Sequence, residues 1–187
     1  MTRRLEVTRM IPASPARVAD AFWDIEAWQR VWDPISAVTV GYCDGRGQEF
    51  TMRVDRDGRT EEVRTVRWRA RDRIDFFSPT APPMMTWHRG SWIFAAAHGG
   101  CAVTAIREYQ LAPDPAGTTA SEDARADRFH DGFTTRVAAI LDCFAAAFAR
   151  PGPPGTTGAD ADADIGATDD DTAVSAPGAG PAVAGVR

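Results

Sequence analysis

Lysine is absent from this sequence: all 21 cationic side chains among its 187 residues are arginines. Schiff-base formation and lysine nucleophiles are therefore excluded, because both need the side-chain amine of lysine. Cysteine is scarce, and Cys43, Cys101 and Cys143 share no close spacing. This predicts reduced thiols rather than a disulfide framework or a zinc knuckle. None of the usual short spacings of metal ligands occurs, so we predict no metal site, and we expect no cofactor.

Long apolar runs are also missing. No segment approaches the length of a membrane span, and the N-terminal stretch MTRRLEVTRMIP lacks an apolar run of signal-peptide length. We therefore predict a cytoplasmic protein that is not embedded in a membrane. The net charge of −5 is uneven, because six aspartates and a single arginine lie in residues 151–187. Residues 1–150 are nearly neutral, which argues against a nucleic-acid partner.

The composition predicts one folded domain and a tail. A hydrophobic content of 44% over 187 residues is sufficient for the core of a single domain. We place that domain in residues 1–150. Residues 151–187 are rich in Pro, Gly, Ala and Asp and contain no aromatic residue, so we predict that they are disordered.

Hydrophobic periodicity within residues 1–150 predicts the order of the elements. Ser14 followed by Pro15 is typical of a helix N-terminus and predicts a helix over about 15–23. A strand precedes it, and a short helix or turn follows over 24–33. The remaining predicted elements are strands over 36–42, 48–55, 60–70, 74–78, 84–97 and 101–111, and a long amphipathic helix over 121–149.

This order predicts an α+β fold. A curved antiparallel sheet of about seven strands wraps around a long C-terminal helix, and two short helices follow the first strand. Such a sheet and helix diverge at one end. We therefore expect a cavity between them.

Four segments resemble a known superfamily: ASPARVADAFWDIEAWQRVWDPISAV, GSWIF, GGCAVTAIREYQL and the final long helix. They are similar to the START or Bet v 1-like helix-grip superfamily, and within it most similar to the bacterial aromatase/cyclases of type II polyketide pathways. The resemblance covers residues 3–149. It implies a helix-grip fold and an enzyme without a cofactor that binds a poly-β-keto chain. The chain would arrive on an acyl carrier protein and undergo aldol cyclisation and dehydration.

The resemblance also implies roles for three residues. Trp28 would form an aromatic wall, Arg67 a polar centre and Trp92 a second aromatic surface. The sequence departs from the family pattern in two places. WDPI stands where a hydroxyl-bearing residue is expected, and alanine in TTRVAAI stands where asparagine is expected. Both departures leave the substrate and the position of ring closure open.

Strand alternation predicts which side chains point into the cavity. If Arg67 points inward, Val63, Thr65 and Arg69 share its face. The inward set on the strand over 84–97 would be Thr86, His88, Gly90, Trp92 and Phe94. On the last strand, Val103, Ala105, Arg107 and Tyr109 share a face. The predicted substrate-binding residues are Trp28, Trp32, Phe50, Met52, Thr65, Trp92, Tyr109, Phe129 and Phe133.

Four residues are candidates for catalysis. Arg67, with Arg107 or His88 nearby, would stabilise a developing oxyanion. His88, or Asp33 at the mouth, would move the proton during enolisation and dehydration. The aromatic walls would fold the chain so that the reacting carbons meet.

Structural alternatives exist for each of these residues. Trp28 and Trp92 are also explained by core packing, and Arg67 by an exposed position in the charged strand EEVRTVRWR. His88 is also explained by a satisfied or solvent-facing position. At the level of function, the rival interpretation is a carrier or sensor of a hydrophobic ligand on the same fold. A hydrolase or lyase is disfavoured because no nucleophile motif occurs, and the oligomeric state is not predicted.

Overall fold

The predicted element order is confirmed within residues 1–56, 58–114 and 119–150, which the computed structural model describes. The tail over 151–187 lies outside the described residues. The elements are β1 (Thr2–Ile11), α1 (Pro15–Trp23), α2 (Trp28–Val31), β2 (Ile35–Cys43), β3 (Gly47–Arg56), β4 (Arg59–Arg69), β5 (Arg73–Thr80), β6 (Met85–Ala97), β7 (Gly100–Leu111) and α3 (Thr119–Ala149).

The seven strands of the described residues form one antiparallel sheet in the order β1-β7-β6-β5-β4-β3-β2. From β2 to β7 each strand pairs with its neighbour in sequence, whereas β1 pairs with β7. The two edge strands, β1 and β2, are therefore consecutive in the chain, and α1 and α2 connect them. This curved antiparallel sheet with a long C-terminal helix is the predicted helix-grip fold.

Both longer helices follow from their sequence patterns. At the start of α1, Ser14 Oγ accepts a hydrogen bond from the backbone N–H of Arg17, and Pro15 occupies the first turn. In α3, Val137, Leu141 and Phe144 are buried on one face. The prediction that no segment approaches a membrane span is wrong for α3, which is long and apolar enough to cross one by length and composition alone. Its apolar face packs in the core instead, where the Phe144 and Phe22 rings stack 4.1 Å apart.

One predicted orientation is wrong, and a β-bulge explains it. On β6, Met85 pairs with Leu111 while Trp87 pairs with Gln110, so two steps along β6 match one step along β7. Such a bulge reverses the alternation of side chains on one side of it. Thr86 is consequently exposed rather than inward, and Met85 lines the cavity instead.

Candidate functional site

A cavity of about 550 Å³ lies between the sheet, the α2 segment and α3. This volume is in the range that proteins use to enclose small molecules. Arg59, Pro83 and Met84 line the cavity and are also exposed, so they mark its mouth. The opposite end is closed by Trp92 and Arg107, each at most 4% exposed. The cavity is therefore closed at this end, where the buried Arg107 lies.

Most of the predicted site residues come together in this cavity. The lining includes Arg67, His88, Arg107, Trp28, Trp32, Phe50, Met52, Thr65, Trp92, Phe129 and Phe133. These residues lie on four strands and two helices or their ends, and the curvature of the sheet brings them together. Of the residues that strand alternation predicted to face inward, Val63, Thr65 and Arg67 on β4 line the cavity, whereas Arg107 alone does so on β7.

Asp33 and Tyr109 do not line the cavity. Asp33 is exposed, one position after the inward-facing Trp32. Tyr109 faces inward as predicted but lies beneath α3, where its hydroxyl is 3.1 Å from Nδ1 of His130. Its ring packs against Phe129 and is 0% exposed. Neither residue is placed to contact a ligand in the cavity.

The tryptophan walls serve the core and the cavity at once. Trp28 Nε1 donates a hydrogen bond to the Phe22 carbonyl oxygen at 3.1 Å, which fixes the indole ring. The Trp28 and Trp92 rings lie 5.8 Å apart in an edge-to-face arrangement. Such aromatic pairs resist reorientation. The two interpretations of these tryptophans, core packing and pocket wall, are therefore both correct.

Arg67 is buried, and each of its three guanidinium nitrogens donates a hydrogen bond to a protein acceptor. Its Nε donates to Oε1 of Gln48 at 2.8 Å, and its Nη1 donates to the Phe22 carbonyl at 2.9 Å. Nη2 donates to the Trp23 carbonyl. Phe22 and Trp23 end α1, where the helix dipole favours a cation. Burial lowers the pKa of Arg67 to about 9, and the nearby Asp24 carboxylate opposes that shift.

Arg107 is equally buried but only partly engaged. Its Nη1 donates to the carbonyl oxygens of Ser91 and Ile106, at 3.1 Å and 2.7 Å. Its guanidinium carbon lies 3.9 Å from the centroid of the Trp92 ring and 4.8 Å from that of Phe76. Among the described residues, Nε and Nη2 have no acceptor and no carboxylate forms an ion pair with this side chain. Burial lowers the pKa of Arg107 to about 9.

His88 is a neutral imidazole beside that guanidinium. Burial, followed by the positive charge of Arg107, lowers the pKa of His88 to about 3. Nδ1 lies 3.3 Å from Oγ of Ser78, whereas the buried Nε2 has no hydrogen-bond partner in the described part of the chain. The Phe76 and Phe133 rings flank the imidazole at 5.3 Å and 5.7 Å. His88 lines the cavity.

Several lining residues were missed by the sequence analysis. On β5, Phe76 and Ser78 face the cavity, and the alternation of RIDFFSPT could have revealed them. Glu61 and Arg136 also line the cavity. Gln48, which orients Arg67, is 6% exposed and shares the inward face of β3 with Phe50. Its hydrogen bond to Arg67 could not be predicted from the sequence, because it depends on which residues of β3 and β4 pair.

The comparisons with known proteins agree with this geometry. Residues 2–150 match the model of a family described as polyketide cyclase/dehydrase and lipid transport. No curated protein is a significant match to the sequence.

Solved structures share the fold. The di-domain ARO/CYC BexL from the BE-7585A biosynthetic pathway is 24% identical with a TM-score of 0.71, over 80% of this chain and 51% of its own. The protein TTHA0849 from Thermus thermophilus is 18% identical with a TM-score of 0.67, over 78% and 97%. The Zhui aromatase/cyclase from Streptomyces sp. R1128 is 15% identical with a TM-score of 0.61, over 76% and 94%. The chain thus spans about half the length of BexL and nearly all of the other two.

Proposed function

The chain belongs to the polyketide cyclase/dehydrase and lipid transport family, and from that premise we propose that it is a polyketide cyclase/aromatase. Its substrate would be a poly-β-keto chain carried by an acyl carrier protein in the cytoplasm. The reaction would be aldol cyclisation followed by dehydration, without a cofactor. The single observation that carries the proposal is the cavity, in which aromatic walls enclose the Arg107 guanidinium, with Nε and Nη2 free of acceptors in the described residues, and the buried imidazole of His88.

The aromatic walls account for control of chain folding. A poly-β-keto chain has many conformations in water, and several pairs of its carbons can react. The rigid wall that the packed Trp28 and Trp92 rings form along the cavity would restrict the chain to a few of them. Holding the two reacting carbons in contact removes the entropic cost of bringing them together, and that cost is a large part of the barrier in such reactions.

The polar groups account for the chemistry. The reaction begins with loss of a proton from a carbon between two carbonyls, which yields an enolate. The enolate carbon attacks a second carbonyl carbon, and the new alkoxide takes up a proton to become a hydroxyl group. Loss of that hydroxyl as water leads to the aromatic ring. Buried N–H donors would stabilise the enolate and the alkoxide, and His88 would accept and return the proton.

The proposal is tested by reconstitution with a minimal polyketide synthase. Products formed with and without the protein are separated and identified by mass spectrometry and NMR. We expect the protein to shift the mixture towards one aromatic product, whose first ring closes at one position. An unchanged product profile at stoichiometric protein would contradict the proposal.

A carrier of a hydrophobic ligand is the second candidate function, and the lipid transport in the family description favours it. The same apolar cavity would then bind the ligand without catalysing a reaction. Native mass spectrometry of the purified protein separates the two candidates. A retained lipid together with an unchanged product profile would favour the carrier.

A further inference from the structure

The two buried arginines, Arg67 and Arg107, differ in their hydrogen-bond acceptors and in the negative charge near them. In Arg67, all three guanidinium nitrogens donate to protein oxygens, and the Asp24 carboxylate lies close enough to oppose the fall in its pKa. In Arg107, only Nη1 donates to oxygens of the described residues, and burial alone accounts for its lowered pKa. Isolated charges in a protein interior are costly unless they are paired. Of these two buried arginines, Arg107 is therefore the uncompensated cation.

The surroundings of Arg107 fix its orientation. The rings of Trp92 and Phe76 lie over the guanidinium group at 3.9 Å and 4.8 Å, and two carbonyls hold Nη1. The plane of the group is thus set, and its Nε and Nη2 remain for a ligand. Guanidinium groups bind anionic oxygens through such paired N–H groups. The neighbouring His88 contributes a further buried nitrogen, Nε2, without a partner in the described part of the chain.

We propose that Arg107, with His88 beside it, forms an anion-binding site at the closed end of the cavity. The ligand is held there through a negatively charged oxygen, and its apolar body lies along Trp28, Phe50 and Met52 towards the mouth. A carboxylate and an enolate share this chemistry. Arg67 is instead a positioning residue: it ties the end of α1 to the sheet, and the Phe22 carbonyl that it contacts also holds Trp28. The inference deepens the proposed function, because an enolate is the species that cyclisation requires.

Decanoate and 1-decanol test the anion site without any enzymatic turnover. At ~30 Å³ per non-hydrogen atom, roughly a dozen atoms need ~360 Å³, which is less than the cavity volume of about 550 Å³. Calorimetry on the full chain measures both dissociation constants. We expect the wild-type protein to bind decanoate at least about tenfold more tightly than decanol. Equal affinities in the wild-type protein would overturn the proposal, whatever the variants do.

Arg107→Met and Arg67→Met are the matched variants. Each removes one buried guanidinium and keeps an unbranched apolar side chain. We expect Arg107→Met to abolish the preference for decanoate, and Arg67→Met to keep it even if both ligands bind more weakly. Arg107→Gln provides a second, polar variant with the same expected loss. Loss of the preference in Arg67→Met and its retention in both Arg107 variants would assign the anion to Arg67 and overturn the proposal.

A third probe distinguishes an enolate ligand from a carboxylate ligand. Dodecane-2,4-dione, a β-diketone, absorbs at longer wavelength as its enolate than in its neutral forms. We expect the bound diketone to show enolate absorption in the wild-type protein, but not in Arg107→Met, at a pH where the free compound is neutral. A preference for decanoate without this absorption identifies a carboxylate ligand and retains the anion site. The product assay above remains independent: a protein that directs cyclisation but binds decanoate and decanol equally keeps its function and refutes the anion site.

Discussion

Arg67 and Arg107 show that burial alone does not define the role of a charged residue. Each is at most 4% exposed, but one completes the end of a helix and the other faces a cavity. Strand alternation predicted both inward orientations from the sequence. It could not predict the acceptors of Arg67, because Phe22 and Trp23 lie more than forty positions away and approach only when α1 folds onto the sheet.

The two arginines should therefore differ in their contribution to stability. Arg67→Met leaves the Trp23 carbonyl without its donor and should lower the free energy of unfolding by about 1–3 kcal/mol. Arg107→Met also removes a donor, from the Ser91 and Ile106 carbonyls, but it removes with it a buried charge that lacks a counter-ion, so we expect a smaller loss of stability than for Arg67→Met. Urea unfolding at pH 7.5 measures both. A larger loss for Arg107→Met than for Arg67→Met would contradict the assignment of their roles.

His88 should make stability depend on pH. In the folded protein its pKa is about 3 rather than the model-compound value of 6.5. Between these values the unfolded chain binds the proton and the folded protein does not, so the free energy of unfolding falls as the pH is lowered. From pH 7 to pH 5 the loss attributable to His88 should be about 1–2 kcal/mol.

The control for this effect is His88→Gln, which removes the titrating group and keeps a polar side chain. The difference in unfolding free energy between wild type and variant, measured at both pH values, cancels the other two histidines. A difference that does not change with pH would show that His88 is not buried as a neutral group.

At the scale of elements, β6 carries the features that the sequence pattern described least well. Its bulge near Met85 has no distinct sequence signal, since MMTWHRG contains neither a glycine nor a proline at the bulge itself. The positions of the helices and strands, in contrast, could be predicted from hydrophobic periodicity and helix caps. Local residue patterns determine that β6 forms a strand, but its pairing with β7 determines where the alternation of its side chains changes.

Gly90 on β6 should be irreplaceable for a steric reason. A Cβ at this position would lie 2.3 Å from the Ile106 carbonyl oxygen and 2.8 Å from Cζ of Phe76, the ring that covers Arg107. Gly90→Ala should destabilise the protein by about 2–4 kcal/mol.

Gly132→Ala in α3 is the matched control, because its Cβ would meet only Arg136 Nη1 at 3.6 Å. That substitution should stabilise by about 0.5–1 kcal/mol. Thermal unfolding of both variants decides the matter: similar melting temperatures would refute the steric argument.

At the scale of the whole molecule, the fold and most of the cavity wall could be predicted, but the chemistry of the cavity could not. The order of elements and the inward faces of β3, β4 and β7 follow from the sequence. The cavity also depends on residues at its mouth, such as Pro83 and Met84, whose loop follows no strand alternation that could have revealed them. Only the three-dimensional arrangement shows that His88 Nε2 and Arg107 point to the same space.

Residues 151–187 should not be needed for folding or for ligand binding. They contain no aromatic residue and six aspartates, so they contribute little apolar surface to a core. A chain that ends at Arg150 should keep its melting temperature within about 2 °C and bind decanoate with unchanged affinity. Differential scanning calorimetry and titration check this, and a large loss in either would contradict the proposed domain boundary.

The central claim is that the cavity directs cyclisation. The most direct test is to fill the cavity with a larger side chain on β4 and to make the same substitution on the opposite face of that strand. Val63 and Val66 lie on β4; Val63 lines the cavity, while Val66 is on the opposite face beside Phe77. Val63→Phe fills the cavity, and Val66→Phe makes the same substitution outside it. The measurement is the yield of the directed aromatic product in the reconstituted synthase, with folding of both variants verified by circular dichroism. We predict at least about a tenfold loss for Val63→Phe, equivalent to ~1.4 kcal/mol, and near wild-type yield for Val66→Phe. Equal yields from the two variants would contradict the account.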